Sequence, residues 1–184
     1  MKNIEKIDNN KKSVLEVALS SVLLLTPISL QANNDIINAG AGNDIIYGDL
    51  GNDTLDGGPG LDSLFGGVGD DTLVFGATDY HDGGVGVDII KITTTTDNFD
   101  FASYTAANMN NCEEIHLDPN ITVIGFQTTL FSTITKIVGD ASNNIALPTG
   151  WNQGASANGF TTYDNAGTTV DISDDVNVFI VPMS

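Results

Sequence analysis

Gly48-Asp49-Leu50-Gly51-Asn52-Asp53-Thr54-Leu55, Gly57-Gly58-Pro59-Gly60-Leu61-Asp62-Ser63-Leu64 and Gly66-Gly67-Val68-Gly69-Asp70-Asp71-Thr72-Leu73 are three successive lines of one pattern. Ala39-Gly40-Ala41-Gly42-Asn43-Asp44-Ile45-Ile46 holds the same phase upstream, and Gly83-Gly84-Val85-Gly86-Val87-Asp88-Ile89-Ile90 holds it downstream after a break. Asp35, Asp44, Asp53, Asp62 and Asp71 fall nine residues apart, whereas Asp88 comes 17 after Asp71, where two full repeats need 18. The copy around Asp35 keeps its aspartate and Ile37 but lacks the glycines. Glycines at fixed places permit positive φ and close approach of neighbouring turns. The apolar position two after each aspartate (Ile46, Leu55, Leu64, Leu73, Ile90) centres a three-residue strand whose middle side chain points inward. Nine residues then make half a coil and eighteen a whole one, so one edge carries Asp35, Asp53 and Asp71 and the other Asp44 and Asp62.

Around this core the chain of 184 residues has a net charge of −18. Twenty acids are Asp and only four are Glu, every cation is Lys, and four of the six lysines lie in the first twelve residues. Such a chain lacks the basic surface needed to bind nucleic acid or an anionic membrane. Aspartate in excess over glutamate, with 20 glycines, indicates turns rather than helices. Cys112 is the single cysteine, so no intrachain disulfide forms, and a structural metal becomes the natural stabiliser. Hard oxygen ligands with only two histidines suit Ca²⁺ or Mg²⁺ rather than zinc or copper. Coils about 4.8 Å apart bring like charges into strong repulsion unless a cation lies between them.

The segment 34–91 closely resembles the RTX (hemolysin-type) nonapeptide-repeat family, with four good copies and two partial ones over about a third of the chain. The resemblance implies an all-β fold, a right-handed parallel β-roll, bacterial origin, and export through a type I secretion ABC transporter. It implies a calcium set drawn from Asp35, Asp44, Asp53, Asp62, Asp71 and Asp88 with Gly40, Gly42, Gly48, Gly51, Gly57, Gly58, Gly60, Gly66, Gly67 and Gly69. The carboxylate pairs so implied are Asp44 with Asp62, Asp53 with Asp71, and Asp35 with Asp53. Asp49 departs from the pattern by replacing a glycine, and Tyr80 stands where the next aspartate is expected, which sets any site through Asp88 off the period.

From residue 92 to 184 the texture turns to Thr and Asn with alternating apolar residues, predicting a β-rich segment. Ile121–Ile137 and Thr168–Val181 read as strands, and Phe160–Tyr163 with Asp164-Asn165-Ala166-Gly167 reads as a hairpin into Thr168. The run Glu113-Glu114-Ile115-His116-Leu117-Asp118, then Val138-Gly139-Asp140, Gly150-Trp151 and Tyr163 resembles the C-terminal region of secreted RTX adhesins. That resemblance implies a folded cap and an uncleaved C-terminal export signal. Residues 1–33 allow two readings. Lys2, Lys6, Lys11 and Lys12 before the apolar Val17–Leu25 resemble a signal peptide. Alternatively, Asn3–Ile7 and Ser20–Leu23 echo Asn111–Ile115 and Thr128–Phe131 at one offset of 108, as in the tail of a preceding module. The run is too short to span a membrane.

No catalytic constellation emerges: there is no H-E-x-x-H helix and no G-x-S-x-G elbow. His81 beside Asp82 falls in the repeat break and reads as a loop residue, and the Thr93–Thr96 run does not recur at the repeat period. Together with this absence of catalytic motifs, the family resemblance implies a non-enzymatic, extracellular calcium-binding module that folds on Ca²⁺ after secretion, as part of an adhesin or toxin-like protein. The alternative is the non-catalytic tail of a secreted hydrolase or polysaccharide-modifying enzyme. No adhesive ligand is legible in the sequence.

Overall fold

The computed structural model describes residues 13–16, 33–76, 78–93, 98–100, 108–124 and 133–181. Among them there is no α-helix, and the strands form three sheets. The longest has ten strands in the order β1 (Ser13–Glu16), β2 (Asp35–Asn38), β4 (Thr54–Asp56), β6 (Thr72–Val74), β8 (Ile89–Ile92), β11 (Glu114–Leu117), β13 (Lys136–Val138), β17 (Thr168–Ser173), β16 (Phe160–Asn165) and β15 (Asn152–Ala157). A second sheet holds β3 (Ile45–Leu50), β5 (Ser63–Val68), β7 (Tyr80–Val85) and β10 (Met109–Asn110). A third holds β9 (Asn98–Asp100), β12 (Thr122–Ile124), β14 (Asn144–Pro148) and β18 (Asn177–Val181). All described pairings are parallel except those of β15 with β16 and β16 with β17, so the fold is the expected all-β roll of stacked parallel coils.

Register explains why the apolar phase never slips. Ile37 pairs with Leu55 and Leu55 with Leu73, each one coil of eighteen apart. Shifting a strand by one residue would turn its inward side chain out to solvent. Ile46 and Leu64 pair likewise across the second sheet. Leu55, Leu64, Leu73 and Ile90 are fully buried, and each such side chain contributes roughly 1.5–3 kcal/mol. Outward side chains stack as well: the Tyr47 and Phe65 rings lie 4.9 Å apart and nearly parallel, with Tyr80 tilted on Phe65 at 5.6 Å.

The first sheet does not stop where the repeats do. The inward column continues from Ile90 to Ile115, Ile137 and Ile172, through coils of 25, 22 and 35 residues. Much of the segment expected as a cap thus extends the same sheet with wider coils, whose third face carries Val123, Ile145 and Val178 in register. Only β15 and β16 leave the pattern, as antiparallel strands beside β17. The hairpin expected at Asp164–Gly167 forms, with Asn165 paired to Thr168 and positive φ at Ala166 (53°) and Gly167 (92°). Such a two-residue turn matches the twist of the flanking strands.

Three readings are corrected. Ile121–Ile137 is not one strand but β12 and β13, in different sheets. Thr168–Val181 is likewise β17 and β18, separated by a turn at Asp174-Asp175. His81 is no loop residue: it occupies the inward position of β7, between Leu64 and Met109, and is fully buried. Its Nδ1 lies 3.2 Å from the Asn108 carbonyl and its Nε2 3.3 Å from that of Val74, and its ring stacks on Phe75. Asn3–Ile7, Val17–Leu25 and Thr94 to Thr96 lie outside the described residues, while Ser13–Glu16 pairs parallel to β2.

Candidate metal centre

The coil period brings Asp35, Asp53, Asp71 and Asp88 to one edge of the roll and Asp44, Asp62 and Asp79 to the other, and hydrogen bonds tie each set into a ladder. On the first edge the Oδ1 of Asp53 accepts the Asp35 N–H at 2.7 Å, Asp71 that of Asp53 at 2.7 Å, and Asp88 that of Asp71 at 2.8 Å. On the second, Asp62 accepts the Asp44 N–H at 2.8 Å and Asp79 that of Asp62 at 3.0 Å. All seven aspartates are buried. The preceding residues form a parallel, exposed ladder: Asn52 N–H donates to the Asn34 side chain, Asp70 N–H to Asn52, and Leu61 N–H to Asn43.

One oxygen of each of the Asp53, Asp62, Asp71, Asp79 and Asp88 carboxylates is thereby used. The Oδ2 atoms of Asp44, Asp53, Asp62, Asp71 and Asp88 are buried with no hydrogen-bond partner. A buried anion left in that state is costly, and native structures keep such groups only where something satisfies them. The glycines show where these oxygens point. A Cβ on Gly48 would sit 2.5 Å from Asp53 Oδ2 and 2.5 Å from the Gly66 carbonyl oxygen. A Cβ on Gly66 would collide with Asp71 Oδ2 and the Gly83 carbonyl oxygen, and one on Gly57 with Asp62 Oδ2. Carboxylate and carbonyl oxygens therefore converge over the glycine Cα atoms, in space that any side chain would fill. Gly58, Gly60, Gly67 and Gly69 lie so close under the carbonyls of Gly40, Gly42, Asp49 and Gly51 that a side chain there would block the stacking of coils.

No group of three or more acidic, histidine or cysteine side chains gathers among the described residues, so an ion here must draw on backbone carbonyls. Oxygen-only donor sets of mixed carboxylates and carbonyls fit Ca²⁺. Protons are the competing occupant. Burial raises the carboxyl pKa of Asp53, Asp71 and Asp88 to about 6, against the lowering effect of the donated N–H bonds, and neighbouring carboxylates push the same way. Asp44 and Asp62 are raised by burial as well.

Every aspartate expected in the set lies on a ladder, including Asp88, which the break in the period had set apart. The residue missing from the expectation is Asp79. The chain shortens by one residue before β7, so Ser63 pairs with Tyr80 and the aspartate of that coil precedes Tyr80 rather than replacing it. The spacing of nine from Asp79 to Asp88 carried that signal. Asp49 keeps the conformation of the glycine it replaces, with φ of 71°.

A family model of the RTX calcium-binding nonapeptide repeat (4 copies) matches residues 31–64 and 51–81. Residues 31–81 are RTX repeats. RTX nonapeptide repeats bind calcium, so Ca²⁺ is the cofactor of this segment, a little over a quarter of the chain. No curated protein and no solved structure matches the chain. The RTX ladders extend past the matched residues through Asp88, which lies on the same edge as Asp71.

Proposed function

We propose that this chain is an extracellular module that folds when Ca²⁺ fills the RTX ladders after type I secretion, and that it forms part of a cell-surface adhesin or toxin-like protein. One observation carries the reading: five buried aspartates each keep an unpartnered oxygen. The residues named above as the expected calcium set hold the ions in this reading, with Asp79 added. Where free Ca²⁺ is scarce, stacked carboxylates oppose coil formation and the chain stays threadable through an ABC exporter. Outside, Ca²⁺ near millimolar meets sites whose dissociation constants, for extracellular modules, are about 10⁻⁴–10⁻³ M. A site at tenfold its dissociation constant contributes roughly 1.4 kcal/mol, so several together reach the scale of domain stability. Far-UV circular dichroism with Ca²⁺ and with chelator tests the proposal: β signal is expected only with Ca²⁺, and a spectrum indifferent to chelator refutes it.

A further inference from the structure

The five-rung first ladder ends outside the repeats, on a residue that is not aspartate. Glu113 Oε2 accepts the Asp88 N–H at 2.9 Å, as Asp88 accepts that of Asp71. The following residue repeats the match. Glu114 N–H donates to the Asp88 carbonyl at 3.0 Å, just as Ile89 donates to that of Asp71 and Thr72 to that of Asp53. The glycine column has a successor too. The carbonyls facing Gly48 and Gly66 come from Gly66 and Gly83, and the one facing Gly83 comes from Asn111, whose φ of 48° is in the left-handed region. The fully buried Asp88 carboxyl closes on the same point above Gly83, and its Oδ2 has no hydrogen-bond partner. Asn111 is held there by its side-chain amide, which donates to Asp82 Oδ1 at 2.8 Å. Asn111-Cys112-Glu113 thus supplies the carbonyl and the carboxylate of another coil without any of the motif's glycines or aspartates.

We propose that Asp88, Glu113 and the Asn111 carbonyl form a further divalent-cation site of the hard-oxygen class, joining the last repeat coil to the wider coils that follow. The site rests on the reading of the ladders as calcium sites. Its role is to close an edge that would otherwise present buried, unpaired charge to the next coil.

Calorimetric Ca²⁺ titration of the full chain tests it with three variants. In Glu113→Gln the amide oxygen still accepts the Asp88 N–H, so the β signal at saturating Ca²⁺ is expected to remain while one ion fewer binds. Asp62→Asn, on the other edge, is expected to lose ions independently. Unchanged stoichiometry and affinity in Glu113→Gln, with loss in Asp62→Asn, overturns this site alone. No loss in either, or no binding by the wild type, overturns the ladder reading itself. If Glu113→Gln does not hold its fold, Glu113→Asp decides. That variant places the residue of every other rung at this one and is expected to bind the full number of ions, and failure to do so counts against the site.

Discussion

Asp71→Asn is expected to change stability in opposite directions with and without calcium. Asp71 is fully buried in the middle of the first ladder. Its Oδ1 accepts the Asp53 N–H at 2.7 Å, its own N–H donates to Asp88 at 2.8 Å, and both neighbouring carboxylates raise its pKa. Asparagine keeps the shape and the accepting oxygen but not the charge. Rungs about 4.8 Å apart repel by about 3 kcal/mol per pair at an effective dielectric near 20. With two neighbours, and the sum halved for solvent reaching the edge of the roll, the metal-free variant gains about 3 kcal/mol, roughly a hundredfold in the folding equilibrium. With Ca²⁺ the sign reverses, because a charged ligand is lost where affinity follows ligand charge, and the folding midpoint should shift to at least about tenfold higher Ca²⁺. The assay is circular dichroism along a trimethylamine N-oxide series in chelator and along a Ca²⁺ series without osmolyte, since the osmolyte favours the compact state without supplying metal. A variant no more folded than wild type in chelator refutes the repulsion argument; an unchanged Ca²⁺ midpoint refutes the ligand assignment.

The metal-free roll should be more stable at pH 4–5 than at pH 7.5. Asp53, Asp71 and Asp88 titrate at about 6 when folded against 3.8 unfolded, so their contribution is full below 3.8 and lost as pH rises through 6. His81, lowered by burial, acts oppositely, its contribution falling away as pH drops through its folded value. Circular dichroism along a trimethylamine N-oxide series in metal-free buffer across this range measures the balance, and an osmolyte midpoint that falls as pH rises contradicts it. Leu64→Ala, at a fully buried rung of the second sheet, should cost about 2–5 kcal/mol by leaving a cavity, read from urea unfolding in saturating Ca²⁺. A loss below 1 kcal/mol would place Leu64 outside the packed core.

The sequence disclosed the roll because one period governs both its interior and its edges: Leu55 and Leu73 repeat inward with the same step as Asp53 and Asp71 at the turn. Where the step changed, legibility ended for a physical reason. One residue fewer before β7 moved Asp79 out of phase, although backbone pairing absorbs the change in the turn and keeps Leu64 opposite His81. His81 itself was hidden by its type, since its single ring N–H has a backbone carbonyl within reach from either nitrogen, which no pattern reveals. Ile90, Ile115, Ile137 and Ile172 form one column at unequal intervals, so periodicity could not announce the continuation of the sheet. Glu113 and Asn111 went unrecognised for a related reason. A longer acid and a left-handed asparagine reproduce the aspartate and glycine geometry without their letters.

The continuity of the first sheet across the end of the repeats has a mechanical meaning. Its strands run across the long direction of the roll, so tension between the two ends does not shear a whole sheet at once. It opens the stack one coil at a time, each opening breaking only the hydrogen bonds of that coil's two strands, a three-residue strand such as β4 and a six-residue strand such as β5. A coil of eighteen residues takes up about 4.8 Å of length when stacked and about 60 Å when drawn straight. A tether built this way lengthens in steps of more than ten times its folded rise, and each step in the repeat segment must also release bound ions. Pulling strength would then depend on the calcium around the protein, which makes the segment a yielding link whose stiffness is set by its surroundings.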